Sequence, residues 1–410
     1  AKDIIRWMDE WLSDRERGGF YASQDADISM DDDGDYFTWT LDEAQAVLSE
    51  EEAAVACLHY DINDVGEMHH NPAKNVLYVR ASLEDISKRL NKNLEQVTAL
   101  LHSAQQKMYA ARLKRQAPYV DKTVYTSWNA LCISAYLEAG RVLDLDSARH
   151  FGLRSLDRVL AEAWKPERGL LHVAAYSDPQ AQHREVPAVL DDYAFLANAC
   201  LDAYEITADL SYFNFAHRIA EKMIEQFYDS AAGGFFDTAL AFGKKVLGVL
   251  NTRRKPFQDS PTPAGNPVAA IALLRLHAYT DEAAYREKAQ KTLEVLAGMI
   301  AQYGIFAATY GIAVIHFSRP HTQVIVLGND ELAKQLYKAA IQPFAFGKAV
   351  LPLVPEAAVE QNLPAALAVS IPKLPPVSNK QSAAILCSEF TCQPAIFEPK
   401  LLAKELQTTQ

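Results

Sequence analysis

An internal repeat constrains this chain more than any other feature. An amphipathic helix that runs into a small-residue turn and then into aromatic or aliphatic residues occurs four times: AKDIIRWMDEWLSDRERGGFY (1–21), SLDRVLAEAWKPERGLLH (155–172), AHRIAEKMIEQFYDSAAGGFF (216–236) and KTLEVLAGMIAQYGIFAA (291–308). In the third copy Ala216, Ile219, Ala220, Met223, Ile224 and Phe227 form a single helical stripe. Glycine closes each copy, because positive φ stops a helix. Ahead of three copies stands a second helix, apolar around most of its circumference: SWNALCISAYLEAGRVL (127–143), LDDYAFLANACLDAYEIT (190–207) and GNPVAAIALLRLHAYT (265–280). Helices of that kind are buried on nearly all sides. The unit is a hairpin of one inner and one outer helix, with a period of roughly 65 to 70 residues. The pattern predicts a mainly α fold, an α/α toroid of helical hairpins. Its inner helices wall a cavity, and their N-terminal ends with the preceding loops form the mouth.

Two regions depart from the hairpin pattern. Residues 30–112 read as an insertion within a hairpin domain spanning 1–318. It comprises a loop, a short helix capped by Thr40 with Glu43 three residues on, an extended KNVLYVR stretch and two polar helices over 82–112. Beyond Ser318-Arg319-Pro320, TQVIVLGND, KAVLPLVPE and SAAILCSEF read as strands and ELAKQLYKAAIQPF as a helix, so 319–410 is expected to be a small C-terminal α/β unit. The final KELQTTQ should fray. With 49% hydrophobic residues in 410, the chain can bury a large core. A net charge of −12 without a long Lys/Arg block argues against nucleic acid as a partner, and no apolar run reaches the length of a membrane span. Five cysteines, odd in number and sparse, point to a reducing, cytoplasmic setting. The opening AKDIIRWMDEWL is amphipathic and acidic, unlike a signal peptide. It starts inside a helix without an initiator Met, so further material is expected upstream.

Chemistry-bearing residues gather where loops enter inner helices. The stretch GGFYASQDADISMDDDGDYFTWT (18–40) carries Asp25, Asp27, Asp31, Asp32, Asp33 and Asp35. Aligned on Gly34, an EF-hand loop would begin at Ser29 and end at Thr40, so both end ligands fail and Asp31 to Asp35 read as a hydrophilic turn. Asp25 and Asp27 alternate with small residues and would point the same way in an extended segment, although Asx turns are equally open to them. Arg115, Asp121, Lys122, Trp128 and Asn129 form the densest candidate. Trp128 offers a flat face for a sugar ring, Asn129 offers donors and acceptors, and Lys122 balances Asp121; the plainer alternative is a helix-entry ion network. Asp191, Asp192 and Tyr193 open the next inner helix, with one acid expected as N-cap and the other left free to face the cavity. Asp259 and Asn266 open the third, in DSPTPAGN.

An acid before each of three consecutive inner helices predicts a carboxylate-lined pocket, and paired carboxylates are what glycoside hydrolysis needs. Asp121 and Asp192 are the expected acid and base. Asp25, Asp27, Arg115, Lys122, Trp128, Asn129, Asp191, Tyr193, Asp259 and Asn266 are the expected contacts to a saccharide-like ligand. Of the inner-helix residues only His277 is a histidine, far from its helix start, and His172, His183 and His321 lie in loops; this weighs against an epimerase mechanism. No metal or cofactor is expected. His69-His70 has no cysteine partner at zinc spacing, and no GxGxxG, Walker or G-x-S-x-G motif occurs. Cys387 and Cys392 leave a redox pair, half of a metal site and two unconnected thiols open, with unconnected or reversible thiols favoured in a cytosolic chain.

Several strings occur in one order: GGFYASQDAD, YFTWTLDEA, RLKRQAPYVDKTVYTSWNAL, LDDYA, FYDSAAGGFFDT, DSPTPAGNPVAA and ILCSEFTCQPAI. Together they resemble the spermatogenesis-associated, thioredoxin-domain-containing family (YyaL-like proteins in bacteria) over nearly the whole chain. The resemblance implies an α/α toroid similar to six-hairpin glycosidases and N-acylglucosamine 2-epimerases, N-terminally incomplete here. It also implies a thioredoxin-like domain upstream or acting in trans, and it matches Asp25 and Asp27 to a QDAD-type motif and Cys387 and Cys392 to a terminal motif. It supplies no substrate. The expected function is a carbohydrate-active or sugar-binding protein. The alternatives are a non-catalytic scaffold that partners a thioredoxin-like domain, and an epimerase-like isomerase.

Overall fold

A computed structural model describes residues 1–32, 34–178, 185–239 and 253–408. Asp33 and His183 fall outside them. In chain order, α1 (Lys2–Trp11) is followed by β1 (Ser23–Gln24), α2 (Leu41–Val47), α3 (Glu50–Tyr60), α4 (Leu83–Leu90), α5 (Leu94–Arg112) and β2 (Val120–Asp121). Next come β3 (Val124–Tyr125), α6 (Thr126–Val142), α7 (Asp146–Ala163), β4 (Trp164–Lys165), β5 (Gly169–Leu170) and β6 (Val173–Ala175). Then follow α8 (Leu190–Thr207), α9 (Leu210–Phe227), α10 (Gly265–Thr280), α11 (Ala283–Ile300) and α12 (Ala308–Ser318). The α/β segment holds β7 (Thr322–Leu327), α13 (Glu331–Ile341), β8 (Lys348–Leu353), β9 (Ala383–Ser388), β10 (Thr391–Cys392) and a terminal helix, Pro399–Thr408. Two compact units result: Ala1–Ala22 with Lys122–Gln410, and Ser23–Asp121.

The larger unit is an α/α toroid-type array. Helices α6 and α7, α8 and α9, and α10 and α11 are its hairpins, and α6, α8 and α10 pack against one another in that order. The inner helix α8 is buried on most sides, while α9 buries one stripe that includes Ala216, Ile219, Ala220 and Met223, as their composition predicts. Helix α8 stops where Ala208 takes φ 57° and its N–H returns to the Tyr204 carbonyl.

Three outer helices, α1, α7 and α9, end in loops that are clipped to the inner helix of the following hairpin. After α1, Gly18 and Gly19 take φ of 88° and 101°, and a Cβ at Gly18 would stand 3.0 Å from the Arg154 backbone in α7. After α9, Gly233 and Gly234 take 81° and 77°, and a Cβ at Gly233 would stand 3.0 Å from the Lys291 carbonyl oxygen in α11. Only glycine fits such positions. The next residue is then gripped by both backbone groups. Phe20 N–H donates to Asn129 Oδ1 (2.7 Å) and its carbonyl accepts from Asn129 Nδ2 (3.0 Å); Phe235 does the same with Asn266 (2.7 and 2.8 Å). In the middle copy Leu170 N–H donates to the Tyr193 hydroxyl (2.8 Å).

Asn129, Tyr193 and Asn266 therefore occupy one repeating position, and all three are buried. Expected to touch a ligand, they instead hold the chain together, because their polar groups are taken up by backbone and, for the Tyr193 hydroxyl, also by Gln226 Oε1. Asn129→Ala or Asn266→Ala strands two buried backbone groups, and each substitution is expected to cost roughly 2–4 kcal/mol. Urea unfolding checks this as a lowered midpoint at constant slope, and a change below about 0.5 kcal/mol contradicts it.

Strand β7 pairs parallel with β8 and antiparallel with β9, giving the order β10-β9-β7-β8. Alternation along β7 sends Ile325 and Leu327 into the hairpin core and Val324 and Val326 into a second cluster with Leu336 of α13. That cluster also takes Leu402 and Leu406, so the terminal helix is anchored through KELQ and does not fray there. Cys387 and Cys392 face each other across the β9–β10 ladder and form a disulfide. Of the alternatives left open it is the paired one, which corrects the expectation of unconnected thiols: with Ser388 opposite Thr391, the two-residue turn at Glu389-Phe390 brings the cysteines into register.

Within residues 23–121, β1 pairs with β2, α3 packs on α5, and the cores are built on Trp39, Ala56 and Met108 and on Val55, Ile86 and Val97. Thr40 and Glu43 form the expected capping box. The KNVLYVR stretch contributes a single bridge, Asn75 to Trp39, in place of a strand. No helix among the described residues is long and apolar enough to cross a membrane.

Candidate active site

Four of the expected site residues lie in the smaller unit. Asp25 donates its N–H to the Tyr119 carbonyl and leaves its side chain exposed. Asp27 Oδ1 accepts from Gly34 N–H (2.9 Å) and Asp32 from Ile28 and Asp35, so both side chains are taken up in Asx-type turns. Arg115 donates to the carbonyls of Asp35 and Thr38 (both 2.7 Å) and lies 4.3 Å over the Trp39 ring, which commits it to the segment around 35–39. Asp121 sits on β2 opposite Ser23.

In the larger unit the chemistry collects at the start of α8. The first turn of a helix carries unsatisfied N–H groups that welcome carboxylates, and LDDYA supplies two. Asp192 is fully buried. Its Oδ1 accepts from Ser127 N–H (2.9 Å), in the first turn of α6, and its Oδ2 from Val189 N–H (2.9 Å). A single carboxylate thus serves the starts of two inner helices. Oδ2 also lies 2.8 Å from His172 Nδ1, and this bond holds the imidazole above its ordinary pKa, against the opposing effect of burial. With Nδ1 donating to Asp192, Nε2 is the ring nitrogen left to exchange a proton. The β3–β6 ladder brings His172 here, since Thr126 N–H donates to the His172 carbonyl (2.9 Å). Beside it lie Tyr125 (ring centroids 5.3 Å apart) and then Trp128 (4.9 Å from Tyr125), whose surface is 47% exposed.

Asp191 makes none of these backbone contacts and sits among other charges. Burial, then Asp192, then Asp237 push its carboxyl up to about 6, with His172 opposing. A Cβ at position 265 would stand 2.3 Å from Asp191 Oδ1, so Gly265 is what lets the carboxylate approach the start of α10. Asp237 is fixed by backbone: it accepts Leu190 N–H at its carbonyl (3.0 Å) and Arg254 N–H at Oδ1 (3.0 Å).

Sequence reasoning missed His172, taken for a loop residue, and Asp237. Both stand two residues after a clipped residue, Leu170 and Phe235, so aligning the copies on their clips would have found them. Asp259, expected at the mouth, uses both oxygens on backbone: Oδ1 accepts from Ala264 and Oδ2 from Thr309. Lys122 lines another cavity, of about 440 Å³, with Tyr21, Arg158, Glu162 and Tyr176. His172, Asp191 and Asp192 are not part of that lining, and its Arg158 is already paired with Asp14 and Glu162. Among the described residues no group of three or more His, Cys, Asp or Glu side chains is arranged to hold a metal.

No family model matches the sequence. The chain is similar to human (Homo sapiens) spermatogenesis-associated protein 20, 28% identical over 367 residues that cover 83% of this chain and 46% of that protein. It spans about half the length of the curated relatives it matches. Among solved structures it is similar to a GH76 α-mannanase from Bacteroides thetaiotaomicron (17% identity, 50% of this chain and 53% of that one, TM-score 0.38). It is also similar to a cellobiose 2-epimerase from Bacillus thermoamylovorans (10% identity, 44% and 47%, TM-score 0.35).

Proposed function

We propose that the larger unit carries a saccharide-processing acid/base site at the starts of α6 and α8. Trp128 and Tyr125 form the platform for the sugar, Asp191 is the general base, and His172, oriented by Asp192, is the general acid. What carries the proposal is the contrast between adjacent carboxylates: Asp191 lifted to about 6, Asp192 buried and tied to an imidazole. Titratable groups held in distinct environments, here Asp191 and the imidazole that Asp192 orients, divide base and acid roles between them. Between about pH 6 and the raised pKa of His172, the form with Asp191 ionised and His172 protonated predominates. In glycoside hydrolysis Asp191 takes a proton from the attacking water while His172 Nε2 gives one to the leaving oxygen. Asp191 and His172 thus stand where the sequence suggested Asp121 and Asp192. The imidazole also favours a second reading, epimerisation beside a sugar carbonyl, in which the same two groups remove and return a carbon-bound proton.

Incubating the protein with aryl glycosides and reducing disaccharides in D2O separates these outcomes. Released sugar marks hydrolysis, and deuterium at the epimerised carbon marks proton exchange. His172→Gln should lower either turnover about 10²–10⁴-fold, and Trp128→Ala should weaken saccharide binding about tenfold. Absence of turnover on every sugar, together with binding that ignores Trp128→Ala, overturns the proposal. The acids would then be the interaction surface of a scaffold for a thioredoxin-like domain.

A further inference from the structure

The larger unit holds a second polar cavity, of about 270 Å³, that shares no lining residue with the candidate active site. His277 comes from α10, Arg286 from α11, His316 from α12, and Arg319 and His321 from the segment leading into β7; Glu389 stands at the rim. Two guanidiniums against one carboxylate is a cationic balance, on a chain whose net charge is −12, and three imidazoles stand beside them as hydrogen-bonding groups. The rim is the tip of the disulfide-closed β9–β10 hairpin. Glu389 and Phe390 take φ of 47° and 63° there, and the Phe390 ring lies edge-on to His277 at 5.5 Å. Arg286 is held in place by donation to the Phe317 carbonyl (3.2 Å) and by lying 4.5 Å over the Phe317 ring.

His321, a surface histidine by sequence, has its Nε2 enclosed and without a hydrogen-bond partner among the described residues. An enclosed polar atom left unpaired is costly, and a ligand that pairs it recovers that cost. The surrounding guanidiniums repel a metal ion, so the three imidazoles do not make a zinc site. They suit the opposite charge.

We propose that this cavity is a second ligand site, built for a compact oxyanion: a phosphate or carboxylate group, free or carried by a small molecule. The fixed charges of Arg286 and Arg319 attract it, and the imidazoles supply short-range donors. The titratable and charged groups lining the cavity are His277 on α10, Arg286 on α11, His316 on α12, Arg319 and His321, and Glu389; Arg275 of α10 lies outside the lining and acts on His316 and His321 through its charge. Burial first, and Arg275 second, hold His316 down to about 4 and His321 to about 3. An oxyanion opposes both effects, so binding takes up protons and tightens as pH falls.

Isothermal titration at matched ionic strength with sulfate, inorganic phosphate and citrate tests this. Sulfate keeps its charge between pH 6 and 8, and is expected to bind about threefold or more tightly at the lower end. Phosphate and citrate distinguish which oxyanion the cavity prefers. Arg286→Gln, at an exposed position, should weaken binding about fivefold or more. Glu389→Asn should tighten it about twofold, removing the acid while placing at positive φ a residue at ease there. His321→Phe keeps the ring and removes Nε2, and should abolish binding in a protein whose circular dichroism is unchanged. If that variant does not fold, the other two decide. The proposal is overturned if no oxyanion binds at concentrations up to about 10 mM, or if binding is indifferent to both Arg286→Gln and Glu389→Asn.

Discussion

Arg275→Met should destabilise the protein by about 3–5 kcal/mol, among the largest losses a single substitution can cause here. Arg275, on the inner helix α10, reaches across to α8. Its Nη2 lies 2.8 Å from Asp202 and 2.9 Å from Glu205, and its Nη1 donates to Asn198 (3.1 Å). Tyr279 donates to the same Glu205 oxygen (3.2 Å). Burial already lifts the Glu205 carboxyl above its ordinary range, with Arg275 opposing the lift. Without the guanidinium, Glu205 must either stay ionised and unpaired or take a proton. The sign follows. A carboxyl whose folded pKa is raised costs stability from its ordinary pKa upward, the cost being complete above the folded value, so the deficit of the variant is greatest at neutral and alkaline pH and shrinks on acidification. Urea unfolding of the wild type and the variant at several pH values measures it. Pairing Arg275→Met with Glu205→Leu should restore much of the loss, since the penalty belongs to the stranded charge more than to the missing contact. A deficit that is flat with pH and additive in the double variant would refute the account.

Asp191→Asn should do two opposite things. Turnover should fall about 10²–10⁴-fold, because the base is gone. Stability near neutral pH should rise, by about 2 kcal/mol. The folded carboxyl titrates at about 6 against an ordinary 3.8; at about 1.4 kcal/mol per unit the full penalty would be about 3, which partial solvent access reduces. The penalty is absent at low pH, grows as pH rises through the ordinary value, and is complete above about 6. Thermal unfolding should therefore give coincident melting curves for wild type and Asp191→Asn near pH 3, and a more stable variant at pH 7.5. The wild-type rate should climb through about pH 6 and decline at the higher pKa of His172. A variant that loses activity without gaining stability would mean that Asp191 is not held in the costly state described.

The hairpins were legible in the sequence because each depends on a local signal: an apolar stripe over four or five turns, closed by glycine. The capping box at Thr40 and the strands of the α/β segment were legible for the same reason. The site was less so, because its contacts join residues far apart in sequence. Asn129 binds Phe20 and Asn266 binds Phe235, so polar residues at helix starts passed for ligand contacts when they are fasteners. His172 looked like an ordinary loop residue because its meeting with Asp192 depends on the pairing of β3 with β6. The expected partnership of Asp121 with Asp192 rested on Asp121 standing just ahead of α6. The boundary between the two compact units falls between residues 121 and 122.

The clips also bear on how this protein can be dissected. Since the loop after one outer helix is fastened to the next inner helix, no hairpin owns all of its partners. A fragment ending between Phe235 and α10 would carry Phe235 with nothing to receive it, and one beginning at α10 would carry Asn266 with nothing to hold. Viable fragments must end beyond an inner helix and never just before one, so the natural module for expression runs out of phase with the visible repeat.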